Sequence, residues 1–306
     1  MRIGITGGGA SPDQVIRQVE RAEADGFTSI WFPGAAGGDP LVAMALAGRA
    51  TTSIEMGTAV LQTYACHPLL QAQRFLAAAK ALADPRRLTL GIGPSHQPVV
   101  EDVLGLRYDT PGRHTEEYVT VLTALLRGEA VRHEGAELRV AAGPITSSED
   151  PEPEVLVAAL GPRLLRVAGE QARGTILWMG NARAIETHVA PRIRAAATAA
   201  GRPEPRIVAG LPVAVHDDVD EARAAAASQF AVYGTLPNYQ RLLAHGGASG
   251  PAEAAIVGDE ASVRAQIEAL FAAGATDVWA APFPVGEDRS ASRARTRALL
   301  VELAAA

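Results

Sequence analysis

Residues 89–98 read TLGIGPSHQP, and they hold the first groups in the chain whose spacing could do chemistry. A dinucleotide-binding loop needs three glycines in the pattern G-x-G-x-x-G between a strand and a helix. Gly91 and Gly93 begin that pattern, but His96 stands at the third place; near the N-terminus Gly7 and Gly9 fail in the same way at Pro12. A phosphate-binding G-x-x-x-x-G-K-[ST] loop is excluded, because Lys80 is the only lysine and stands elsewhere. A serine nucleophile on a tight elbow needs G-x-S-x-G, and Gly93-Pro94-Ser95-His96-Gln97 lacks the last glycine. Adjacent Ser and His side chains on an extended segment point apart, so they form no dyad. No H-E-x-x-H and no tight His/Asp/Glu cluster suggests a metal. His96 remains a candidate catalytic group if it faces a site, and an ordinary surface or capping histidine if it does not.

The other reactive side chains each have a structural reading beside the chemical one. Asp39 could be an acid, but Asp39-Pro40 is also a standard helix start. Arg113 with Glu116 and Glu117 has the spacing of helix-surface ion pairs. Tyr64 either lines a pocket or packs. Cys66, the single cysteine, excludes an internal disulfide and any multi-cysteine metal site, and reads as a small buried hydrophobe.

The elements that must position these groups alternate regularly. Short apolar runs at Arg2–Thr6, Thr28–Phe32, Ile54–Leu61, Leu88–Ile92, Val155–Leu160, Thr175–Met179, Arg206–Val215 and Asp277–Pro282 read as strands covered on both faces. Helix starts lie between them. Ser11-Pro12 carries a capping-box glutamine at Gln14, and Asp39-Pro40, His67-Pro68, Asp218 and Asp259 open others. Val263, Ile267, Leu270 and Phe271 form the apolar stripe of the last long helix, which Gly274 ends. Eight strand–helix units predict an α/β chain folded as a (β/α)8 TIM barrel in one domain over residues 1–306, with an open doubly wound sheet as the alternative. Two intervals are too long for simple connections. Gly93 to Pro153, between strands 4 and 5, is an insertion with its own helix at Thr115–Arg127 and a β-like piece at Val131–Val140; Gly234 to Gly258 is the other.

In a barrel the strand ends converge on one face. Those ends are Gly34, Val60 to Gln62, Gly93 to His96, Leu160 to Pro162, Met179 to Asn181 and Pro282 to Pro284. Small, permissive residues there let a flat ring or a phosphate approach the main chain. Gly161-Pro162 and Gly180-Asn181 each start a helix, whose free N–H groups either hold an anion or are capped in the ordinary way.

Composition narrows the partners. The 306 residues carry a net charge of −6, which argues against nucleic acid. The N-terminus does not read as a signal peptide, and no apolar run spans a bilayer, so a cytoplasmic protein without membrane contact is expected.

Four ordered blocks carry a wider resemblance: GTAVLQTYACHPLLQAQ (57–73), RLTLGIGPSHQPVVEDVLGLRYDTPGRHTEEY (87–118), VLVAALGPRLLRVAGEQARGTILWMG (155–180) and IETHVAPRI (185–193). Together they resemble the luciferase-like monooxygenase superfamily, and within it the branch of coenzyme F420-dependent oxidoreductases, being similar to methylenetetrahydromethanopterin reductase. The resemblance implies a bacterial luciferase-like barrel, a homodimer, and a deazaflavin at the C-terminal mouth. It implies a non-proline cis peptide at Ala59-Val60 behind the ring. It places cofactor contacts at Ala59, Val60, Leu61 and Gln62, at Gly93, Pro94, Ser95 and His96, at Leu160, Gly161 and Pro162, and at Met179, Gly180 and Asn181.

One departure stands out. Sugar-oxidising relatives carry an Asp-His pair after strand 2, whereas this chain reads Trp31-Phe32-Pro33-Gly34-Ala35. That disfavours their alcohol oxidation and leaves the proton donor unassigned. The expected function is hydride transfer between F420 and a small organic substrate, with C=C or C=N reduction as the direction. The alternatives are an FMN-dependent luciferase-like monooxygenase and a cofactor-binding barrel without turnover.

Overall fold

The computed structural model describes residues 1–34 and 38–306. Ala35, named above at the end of strand 2, lies outside them. Eight parallel strands form a closed ring: β1 (Ile3–Thr6), β2 (Ser29–Phe32), β3 (Glu55–Thr58), β4 (Leu88–Gly93), β5 (Glu154–Val157), β6 (Gly174–Trp178), β7 (Arg206–Val215) and β8 (Asp277–Pro282). Pairing of β7 with both β6 and β8, and of β8 with β1, closes the circle. The open sheet is thereby excluded. Helices packed outside the ring include α1 (Pro12–Ala24), α2 (Pro40–Ala50), α3 (Pro68–Lys80), α4 (Pro111–Leu126), α5 (Pro162–Gln171), α6 (Ala190–Ala199), α7 (Val219–Gln229), α8 (Pro237–His245), α9 (Glu260–Ala272) and α10 (Arg289–Ala305).

The expected helix starts are present as capped termini. Ser11, Asp39, His67, Asp218 and Asp259 each accept a backbone N–H of the first turn. Each such cap satisfies a donor that would otherwise lack a partner, worth about 1 kcal/mol. In α9 the residues Val263, Ile267 and Leu270 are buried, as their stripe requires.

The barrel interior is filled by pairing large side chains with glycines. A Cβ added at Gly57 would lie 2.2 Å from the Trp31 ring, and one at Gly210 would lie 2.2 Å from the Trp279 ring. These two indoles can therefore occupy the axis only because β3 and β7 carry no side chain opposite them. Trp31, Leu156, Ile176, Val208 and Trp279 form one buried cluster there.

Below that cluster, at the N-terminal ends of the strands, lies an ionic layer. Arg206 of β7 is hydrogen-bonded to Asp277 of β8 (2.7 and 3.0 Å), Glu55 of β3 (2.8 Å) and Glu154 of β5 (2.8 Å). Arg2 joins it through Asp277 (2.8 Å) and Glu55 (2.7 Å). The Arg206 guanidinium also lies 5.6 Å from the Trp31 ring centre. Residues at the starts of β3, β5, β7 and β8, with Arg2 just before β1, thus make one ionic layer across the floor of the barrel.

Several expectations need correction. The run Ile54–Leu61 is not one strand: β3 stops at Thr58, the Ala59–Val60 peptide is cis, and Leu61–Gln62 pairs separately with β4. The piece at 131–140 is an antiparallel hairpin, Val131–Glu134 with Arg139–Ala142. The second excursion ends in a short extra strand, Ile256–Gly258, which extends β7. Arg113 does not pair along its helix; it reaches Glu137 (2.7 Å), while Glu116 meets Arg163 and Glu117 accepts the N–H groups of the hairpin turn at residues 136–138. Cys66 is half-buried rather than buried, with Arg74 at 3.6 Å.

Candidate active site

A cavity of about 760 Å³ opens at the C-terminal ends of the strands. Its walls come from the segments that barrel topology gathers there: Thr6 after β1, Pro33 and Gly34 after β2, Ala59, Val60 and Gln62 after β3, Gly93 to His96 after β4, Ala158 and Leu160 to Leu164 after β5, Ile176 to Trp178 of β6, and Trp279 to Pro282 of β8 save Ala280. The excursion after β7 and α7 closes the remaining side with Phe230, Tyr233, Asn238, Tyr239 and Arg241.

Most of the residues singled out from sequence meet in this cavity. Ala59, Val60, Gln62, Gly93, Pro94, Ser95, His96, Leu160, Gly161 and Pro162 all line it. Four do not. Leu61 points into the hydrophobic core, 7% exposed. Met179 is buried beneath the excursion with a positive φ of 66°, so the chain turns away from the mouth one residue earlier than its apolar run suggests. A Cβ at Gly180 would lie 2.2 Å from the Leu177 side chain, and Asn181 is spent on two structural bonds, accepting from Ala184 N (3.0 Å) and donating to Gly246 O (3.1 Å). Asn181 is an ordinary helix cap.

The β4 loop is held from behind. Ser95 has a φ of 65°, and its carbonyl accepts the Tyr108 hydroxyl at 2.9 Å. Tyr108 packs on Tyr64, which stacks on His114 at 3.9 Å, so Tyr64 is a packing residue of this bracket. The turn at Ser95 presents His96 to the cavity, where its ring meets Tyr239 edge-on at 5.8 Å. Burial lowers the His96 pKa from its ordinary value near 6.5, so the imidazole is neutral at pH 7. Burial raises the phenols of Tyr233 and Tyr239, which stay protonated.

At the β5 mouth, Gly161 is the N-cap of α5 with Pro162 in the first turn, and no side chain caps this end. The space above Gly161 is open, and Arg163 stands beside it, 3.1 Å from Glu116. Free N–H groups at the start of a ten-residue helix favour a negative charge. Asp39, by contrast, caps α2 and pairs with Arg74; it is no part of the cavity. Among the described residues the lining includes no Asp, Glu or Lys, and no group of three or more potential ligands could hold a metal ion.

The sequence reading missed the aromatic side of this cavity. Trp178, Phe230, Tyr233 and Trp279 come from three separate segments, so no local spacing announces them. Trp178 was within reach, being one residue before the predicted end of strand 6.

Comparison with known proteins agrees with this architecture. The family model of the luciferase-like monooxygenases matches residues 2–292. A 5,10-methylenetetrahydromethanopterin reductase of Methanolobus tindarius is 24% identical over 72% of this chain and 66% of its own length. An F420-dependent hydroxymycolic acid dehydrogenase of Mycobacterium tuberculosis is 30% identical over 70% of this chain and 62% of its own. Among solved structures, an F420-dependent secondary alcohol dehydrogenase in complex with an F420-acetone adduct superposes with a TM-score of 0.77 at 18% identity, covering 97% of each chain. The oxygenating constituent of 3,6-diketocamphane monooxygenase from Pseudomonas putida, in complex with FMN, superposes at 0.72, with 18% identity over 99% of this chain and 97% of its own. The cavity at the barrel mouth therefore belongs to an oxidoreductase, and the chain belongs to the luciferase-like monooxygenase family.

Proposed function

We propose that the protein transfers hydride between coenzyme F420 and a small organic substrate, reducing a C=C or C=N bond. The observation that carries this reading is the match to relatives named for F420, one of them at 30% identity over 70% of the chain. The cavity residues fit such a group. A flat ring has the face made by Ala59 and Val60 to rest on, with Gly93 beside it. A phosphate has the uncapped α5 terminus and the Arg163 side chain. When bound, the deazaflavin would supply the two-electron hydride exchange. The chain's own residues would position the ring, exclude water, and offer His96 as the polar group nearest the chemistry. Neutral at pH 7, His96 can give or take a hydrogen bond without bringing a charge.

Titration of the purified protein with F420, FMN and NADPH in parallel tests the cofactor. Saturable binding of F420 in preference to the other two is expected. Binding of FMN without F420 overturns the reading in favour of an FMN-dependent monooxygenase, and oxygen consumption with reduced FMN would confirm that replacement.

A homodimer is part of the proposal. Val42 (56% exposed) and Leu46 (43%) lie one helical turn apart on α2, and Leu70 (51%) lies on the adjoining α3. Such a patch suits a second copy of the chain. Light scattering should give twice the chain mass, and Leu46→Glu should shift it to the monomer.

A further inference from the structure

Aromatic residues make up only 5% of this chain: 3 Trp, 5 Tyr and 6 Phe. The cavity is lined by roughly a tenth of the chain, which at that frequency would hold one or two of them. It holds five: Trp178, Phe230, Tyr233, Tyr239 and Trp279. Trp279 and Tyr239 are largely buried and also serve packing, whereas Trp178, Phe230 and Tyr233 are only partly buried and keep surface open to the cavity. They form one continuous surface. Trp178 lies 5.1 Å from Trp279 and 6.0 Å from both Phe230 and Tyr233, and Tyr233 lies 4.9 Å from Tyr239. Rings at such tilts offer faces and edges together, and a planar aromatic ligand gains from both where a puckered aliphatic one gains only area.

The charge on the lining is equally one-sided. Among the described residues it carries no carboxylate and two guanidinium groups. Arg163 is compensated by Glu116 at 3.1 Å. Arg241 has no acid partner among the described residues, where it bonds the amide oxygen of Asn238, one turn back on α8. It therefore stands as an exposed cation on the same helix as Tyr239, at the rim of the aromatic surface.

We infer that the substrate is a planar, fused-ring aromatic compound bearing an anionic group, with its rings against Trp178, Phe230 and Tyr233 and its anion at Arg241. This rests on the reading that the cofactor takes the side of the cavity formed by β3, β4 and α5.

Calorimetric titration of the F420-saturated protein with anthracene-2-carboxylate, anthracene-2-carboxamide and cyclohexanecarboxylate tests the inference. The fused-ring acid should bind at least tenfold tighter than either of the other two. Arg241→Gln should abolish the preference for acid over amide while leaving F420 affinity unchanged. Trp178→Leu should weaken the fused-ring acid at least tenfold, and Phe230→Leu repeats that arm should the Trp178 variant fail to fold. Equal binding of the three probes, or an Arg241→Gln variant that loses F420 affinity instead, overturns the inference and assigns Arg241 to the cofactor. If F420 itself does not bind, the cofactor reading fails separately, and the same three probes on the FMN-saturated protein decide the substrate class.

Discussion

The two ends of the barrel solve opposite problems with different residues. The floor is charged and closed. Arg206, nearly inaccessible, donates two hydrogen bonds to the equally buried Asp277, and Glu55, Glu154 and Arg2 complete the network. The mouth is uncharged on its walls, aromatic and open, with its cations at the rim. Each of these five charged side chains of the floor is bonded to an opposite charge within the same layer. At the mouth the α5 terminus is uncapped and Arg241 has no acid partner among the described residues. The contrast shows where this chain keeps its stability and where it keeps its chemistry, the usual division between the two faces of such barrels.

The strongest way to break that division is at the floor. Arg206→Met takes away the buried cation that Asp277, Glu55 and Glu154 share and leaves the buried Asp277 to the half-exposed Arg2. Removing one partner of a buried pair costs about 3–5 kcal/mol, so the urea midpoint should fall sharply. Variant protein that remains folded at low denaturant should still bind cofactor with the parent affinity. A large loss of cofactor affinity with an unchanged midpoint would mean the floor serves the site directly.

One layer higher, Gly57→Ala would drive a methyl into the Trp31 ring, which lies 2.2 Å from the new Cβ position. Overpacking of this kind costs about 1–3 kcal/mol. Because Trp31 packs in the cluster that Ala59 and Val60 also touch, the variant should lose cofactor affinity as well as stability. It thereby marks the level at which the two ends begin to communicate.

At the mouth the balance reverses. His96 is half-buried in the lining and meets Tyr239 only edge-on. His96→Asn should keep its unfolding free energy within about 1 kcal/mol of the parent. Turnover should nevertheless fall by about a hundredfold, the low end for loss of a proton-handling group. Unchanged turnover would return His96 to a merely structural part.

How much of this was legible follows from how local each cause is. The barrel strands announce themselves as short apolar runs, and the helix starts as Asp, Ser or His before the first turn, because both signals lie within a few residues. The cis Ala59–Val60 bond could be placed only by resemblance, since nothing in the apolar run marks where β3 breaks. Met179 continues the apolar run of β6 yet turns to a φ of 66° and packs under the excursion with Tyr239 and Leu243, residues sixty and more positions away. The floor was invisible, because Arg206 finds Glu55 from 151 residues away and Asp277 from 71. The aromatic wall was invisible for the same reason: Trp178, Phe230 and Trp279 meet only once the ring has closed.

The smallest expected effect separates the two ends by pH. Burial lowers the pKa of three histidines that line or flank the mouth: His96, His114 behind Tyr64, and His188, bonded to Leu160 O at 2.8 Å. Each binds its proton more weakly in the folded chain than in the unfolded one. The unfolded chain therefore takes up more protons once the pH falls through about 6.5, and the folded state loses stability over that window. The floor takes no part, since Arg206 stays charged and its guanidinium holds the Asp277 carboxyl below the usual range despite burial. A second loss should begin only below pH 4.5, where Glu23 matters: burial opposes its charge, but the N–H groups of Ser53, Ile54 and Thr52 hold it at about 2. Thermal unfolding followed from pH 7.5 to 3 should thus show two separate declines. His114→Phe, which preserves the stack on Tyr64, should shrink the first and leave the second. Glu23→Gln should do the reverse. A single decline confined to pH below 4.5 would mean that the buried histidines of the mouth contribute nothing to the difference between the two ends.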